Sequence, residues 1–151
     1  MAKKFKIIAA TALLASLSFG AYAQSAAERA IQYRQGVMKA QGWHMGNMGA
    51  QIKGAKPYNK EDFARSANFV WQLIAMSWDG FGPGTDKGAP TKAKPEIWTE
   101  AGKFTAAQEQ ATKATAALAQ VAAAGNLDAI KPAFAEAGKA CKACHDDFQS
   151  K

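Results

Sequence analysis

Cys141-Lys142-Ala143-Cys144-His145 is a C-x-x-C-H run near the end of a 151-residue chain. Two thiols at this spacing can add across the two vinyl groups of one porphyrin while the adjacent imidazole takes the iron, so the run marks covalent c-type haem attachment. At about 100° per residue, positions i, i+3 and i+4 share one face of a helix. The motif therefore predicts a helix at this end of the chain, with an apolar slot on the far side of the porphyrin.

Three other uses of the cysteine pair fit less well. A disulfide closing so short a loop restricts the unfolded chain little. A thioredoxin-like redox site wants a βαβ context that the sequence lacks. A structural zinc site lacks a second pair of Cys or His ligands, because the chain holds two cysteines and two histidines in all.

Working outward, the residues before the motif repeat at threes and fours: Leu127, Ile130, Phe134, Ala137, Cys141, Cys144 and Phe148. This places the haem motif on the apolar face of a final helix. Pro132 lies in its second turn, where a bend or a later effective start is expected. Gly125-Asn126 supplies a C-cap and the next N-cap, the short turn that joins antiparallel helices. Before it, Glu96 to Ala124 reads as one Ala-rich helix with Phe104, Ala111, Ala114, Leu118 and Val121 on one face. Alanine favours the helix and lets neighbours come close. Asp79 to Pro95 carries four glycines and three prolines and reads as a long loop, flanked by Trp78, Phe81 and Trp98. Phe63, Ala67, Val70, Ile74 and Ser77 form the buried stripe of a helix capped by Asn59. The first helix covers Ala26 to Ile52, with Ile31, Met38, Met45 and Ile52 at seven-residue intervals and Arg34, Gln41 and Met48 on or near that stripe.

Four helices, two short turns and one long loop predict an all-α, up-down-up-down four-helix bundle with the haem held against the last helix. Residues 1–23 read as an export signal: Lys3, Lys4 and Lys6, then an apolar run from Ile7 to Leu17, then Ala21-Tyr22-Ala23 as a cleavage site. The expected mature chain is one domain over residues 24–151, in the periplasm and not inserted in a membrane. Removing the signal lowers the net charge from +7 to +4. No dense Lys/Arg cluster stands out, which argues against a nucleic-acid partner.

Opposite His145, the iron has two candidate partners. His44 lies off the apolar stripe and reads as a surface or hydrogen-bonded position. Met38, one turn beyond Arg34, is either a thioether ligand or a flexible core side chain that shields the porphyrin. No distal His or Arg pair suited to acid–base work is evident, so an enzyme is not expected. An apolar distal site would admit nitric oxide or carbon monoxide, whereas a haem with one exposed edge suffices for electron transfer. No motif specifies the redox partner protein.

The chain resembles the cytochrome c′ family, the class II c-type cytochromes, over nearly its full mature length. The resemblance is carried by Tyr33-Arg34-Gln35 with Met38, by Trp78 and Phe81-Gly82-Pro83-Gly84-Thr85, by Lys94-Pro95-Glu96, and by the C-terminal motif. It implies one covalent haem c on Cys141 and Cys144, His145 as the protein ligand of a five-coordinate iron, Arg34 and Gln35 beside the propionates, and a homodimer. Met38 departs from the bulky apolar residue commonest at its position and keeps open a low-spin, six-coordinate electron carrier with Met38 as second axial ligand. Gln149 stands where many members carry a basic residue, which puts any role for that charge in doubt.

Overall fold

A computed structural model describes residues 24–151; the expected export signal over residues 1–23 lies outside the described residues. Four long helices account for most of the chain: α1 (Ala26–Ile52), α2 (Lys60–Ser77), α4 (Ala101–Ala124) and α5 (Leu127–Phe148), with a short α3 (Glu96–Thr99) before α4. Each start has a local cause. Ser25, Asn59 and Asn126 place side-chain oxygens on the free amides of Glu28, Asp62 and Asp128 at 3.0, 2.9 and 3.0 Å, which satisfies donors that have no partner inside the helix. Gly125 ends α4 at φ +78°, a left-handed conformation that glycine adopts without a Cβ penalty.

The helices form the expected four-helix bundle, α1 against α2, α2 against α4 and α4 against α5. All five residues of the predicted α2 stripe are buried. In α1 the buried set is Ile31, Arg34, Val37, Gln41, Met48 and Gln51, while Met38, Met45 and Ile52 are half-buried. Met38 and Met45 lose cover because each borders a cavity, although Met45 also packs against the core. Pro132 sits inside α5 without interrupting it.

The helix predicted over Glu96 to Ala124 is broken at Glu100, whose backbone (φ −116°, ψ 46°) leaves the helical region. Ile97 and Phe104 lie seven residues apart and both stay buried, so the apolar stripe runs through the break without registering it. The Glu100 carbonyl accepts the first α4 bonds, from Lys103 and Phe104. Trp98, on α3, donates its indole N–H to the Phe81 and Gly82 carbonyls at 3.1 Å each.

Two apolar clusters divide the interior. One joins Met48, Phe63, Val70, Leu118 and Ile130 toward the α4–α5 turn. The other is aromatic and stands at the opposite end, where Phe104 meets Trp78, Phe81 and Phe148 edge to face with centroids 5.1 to 6.1 Å apart. The long loop begins as a 3₁₀ turn, Trp78–Phe81, and closes over this aromatic end.

Gly80 is where the loop touches α1. A Cβ there would lie 2.5 Å from the Arg34 Cβ and 3.1 Å from the Ala30 carbonyl oxygen, and neither neighbour is the free tip of a side chain. Gly80→Ala is expected to lower stability by about 1–3 kcal/mol through overpacking. Gly82→Ala, two residues on and with nothing within 4 Å of the added carbon, serves as the control and should change little in the same denaturant titration.

Candidate haem site

Between the middle of α1 and the last two turns of α5 lies a cavity of about 520 Å³. This is within the ~300–1,000 Å³ range of pockets that bury a cofactor. All eight residues singled out from the sequence border it: Cys141, Cys144 and His145 from α5, Arg34, Gln35 and Met38 from α1, and Trp78 and Phe81 from the start of the loop. Several residues that the sequence pattern assigns to the core also stand on its wall, among them Val70, Ile74 and Phe104. Gln41 and Gln149 border it too. His44 does not; its Nδ1 lies 3.4 Å from Ser66 Oγ and its ring stacks against Phe69, in a separate polar cleft.

The thiols are half-buried on the inner face of α5. Burial pushes the Cys141 thiol up from its ordinary value. Burial also raises Cys144, with further contributions from the neighbouring Cys141 and from Asp147, up to about 11. Thiols that work as redox nucleophiles have pKa values lowered to about 3.5–7.5. Raised thiol pKa values are the opposite of what a thioredoxin-like use of this pair requires. His145 lines the same cavity and is otherwise exposed.

Arg34 is 3% exposed yet carries a charge, and the loop supplies its compensation. Nη1 donates to the Gly80 and Thr85 carbonyls at 2.8 Å each and lies 3.2 Å from Thr85 Oγ1; Nη2 donates to Thr91 Oγ1 at 2.9 Å. The guanidinium carbon also sits 4.8 Å from the Phe81 ring centre and 5.6 Å from that of Trp98. Burial lowers its pKa from the usual value, partly offset by the attraction of Asp86. Gln35 adds a second tie, donating from Nε2 to the Pro90 carbonyl at 2.8 Å.

The end of the loop is fastened to the end of α5. Ala93 and Gln149 form an isolated antiparallel bridge, and the Ser150 amide donates to the Lys92 carbonyl at 2.8 Å. Lys94 Nζ donates to the Asp146 and Asp147 carbonyls at 3.0 and 2.8 Å, so a cation sits on the carbonyl end of the helix that bears His145. Period-based reading has no signal for these contacts, which join residues more than 50 positions apart.

The residues fit a c-type haem: an apolar cavity of suitable size, both cysteines and the histidine on one wall, and aromatic and aliphatic side chains around them. A family model described as Cytochrome C' matches residues 29–149. A cytochrome c′ from Alcaligenes xylosoxydans xylosoxydans is 36% identical over 82% of this chain and 95% of its own length. The crystal structure of cytochrome c′ from Rubrivivax gelatinosus superposes with a TM-score of 0.78 at 37% identity, covering 80% of this chain and 94% of that one. A nitric oxide complex of a variant cytochrome c prime from Alcaligenes xylosoxidans gives 0.77 at 36% identity, over 83% and 97%. With its cavity, its C-x-x-C-H wall and these likenesses, the chain belongs to the cytochrome c′ family and carries haem c as its cofactor.

Proposed function

We propose that this chain is a periplasmic gas-binding and electron-transferring cytochrome whose haem lies in the cavity between α1 and α5. The observation that carries the proposal is the meeting of Cys141, Cys144 and His145 with an apolar opposite wall in one cavity. When bound, the haem supplies an iron that exchanges an electron or takes up a small uncharged ligand. Each thiol adds its S–H across one vinyl group, giving a thioether with no change of oxidation state overall. His145 would hold the iron from the α5 side of the cavity. Its exposure gives the site a solvent-facing edge, as electron exchange with a partner protein requires.

On the other wall, Met38, Val70 and Ile74 are apolar and none carries a titratable group. These three side chains suit nitric oxide or carbon monoxide, and the cations that border the cavity are Arg34, Lys39 and Lys92. The solved relative that holds nitric oxide supports this reading. Arg34 and Gln35 border the cavity beside the loop. Arg34 has N–H groups beyond those committed to Gly80, Thr85 and Thr91, which are suited to a propionate. Met38 supports one rival reading, a six-coordinate electron carrier, because its thioether is on the cavity wall.

The reduced protein should shift its optical spectrum on adding carbon monoxide or nitric oxide, and Met38→Ala should leave the resting spin state unchanged. Sharp low-spin bands with no response to either gas, turned high-spin by Met38→Ala, would instead establish Met38 as the second ligand.

A homodimer belongs to the same proposal. Trp43 is 69% exposed on α1, and Trp71 and Met76 are 43% and 45% exposed on α2. Large apolar side chains gathered on two adjacent helices call for cover. The protein should sediment as a dimer, and the double change Trp43→Ser and Trp71→Ser should give a monomer with an unaltered optical spectrum. A wild-type protein that stays monomeric at every concentration would refute the dimer.

A further inference from the structure

We infer that Gln41 sets which small molecules the haem cavity accepts, favouring ligands that carry a proton on oxygen, nitrogen or sulfur over bare diatomic gases. The inference rests on reading the cavity as an open ligand site.

Gln41 is a polar side chain only 6% exposed, three residues beyond Met38 on the face of α1 that borders the cavity. Its amide is locked in one orientation. Nε2 donates to the Leu73 carbonyl at 3.2 Å and to Ser77 Oγ at 2.5 Å. A carbonyl can only accept. Ser77 spends its single hydroxyl proton on that same Leu73 carbonyl at 2.9 Å, so its Oγ has only lone pairs to offer Gln41. Both partners thus demand the N–H₂ end, and a flip of the amide would set oxygen against oxygen.

Gln41 Oε1 is left over. None of the hydrogen bonds made by Gln41 involves it. Among the described residues, no side-chain oxygen or nitrogen is both sealed from solvent and unpaired, so Oε1 retains accessible surface. Gln41 is 6% exposed and lines the cavity, and we assign that surface to the cavity side. The cavity would then present one fixed acceptor beside the apolar side chains of Met38, Val70 and Ile74.

A fixed acceptor discriminates by what it is left without. A ligand that fills the space beside Oε1 and has no proton to give strips the oxygen of water and leaves it unpaired, a penalty of roughly tenfold in affinity. A ligand bearing O–H, N–H or S–H replaces the water and avoids that penalty.

The test is a pair of optical titrations on the haem-loaded protein: carbon monoxide on the ferrous form and sodium sulfide on the ferric form, for wild type, Gln41→Met and Gln41→Leu. Both variants are expected to bind carbon monoxide about tenfold more tightly while sulfide affinity stays within about threefold of wild type. A purely structural role for Gln41 would loosen or close the cavity and move both affinities in the same direction. Parallel shifts in the variant that folds, or no shift in either titration, would overturn the inference while leaving the open site in place. A wild-type protein that shows no response to carbon monoxide would remove the open-site reading, and this inference with it.

Discussion

A buried guanidinium holds the haem end of this bundle together. Arg34 projects from α1 into a loop that has little regular structure of its own, and it gathers three loop residues by hydrogen bonds and the rings of Phe81 and Trp98 around its guanidinium. A charge in such a place is stable only when its donors are met by oriented dipoles. The loop meets them with the Gly80 and Thr85 carbonyls and the Thr91 hydroxyl, which spans most of its length. The bare backbone at Gly80 is what lets the chain come against Arg34 at all. Lysine would be a poor substitute here, because a point charge cannot serve several directions as a planar fork does.

The cavity follows from that tie and from the second one at Lys94. The loop's start is fixed to α1 and its end to the last turn of α5, so the segment between them spans the two helices that flank the cavity. Toward the α4–α5 turn the same helices come together: a Cβ on Gly49 would stand 3.5 Å from the Phe134 ring. At the haem end α1 and α5 are held to the loop instead, and the interior between them is lined by Met38, Ile74 and Phe104. The cysteines face this interior, where burial raises their pKa values.

Much of this was legible in the residues. The C-x-x-C-H run gave the cofactor chemistry, and the period of three and four put both cysteines on the inner face of a terminal helix. The α2 stripe was readable to the residue because a helix covered on one side by others obeys simple amphipathic spacing. Periodicity was weaker in α1, where Arg34, Gln41 and Met48 on or near the stripe are buried but Met38, Met45 and Ile52 on it are only half-covered. A helix that borders a cavity satisfies polar groups through partners far along the chain, and no local pattern encodes those partners. The break at Glu100 was hidden because Ile97 and Phe104 keep one stripe across it. Arg34 was readable as important; that its hydrogen bonds go to the loop depends on contacts 46 to 57 residues away.

Paramagnetic nuclear magnetic resonance of the ferric protein tests whether the haem is seated between α1 and α5. Iron broadens the resonances of nuclei near it and spares those far away. The backbone amides of Met38, Gln41, Ile74 and Phe104 should broaden together with those of α5 around Cys141, while Met48, Phe63, Leu118 and Ile130 at the other end stay sharp. Broadening confined to α5, with α1 and α2 unaffected, would place the haem on the outside of the bundle and contradict the account.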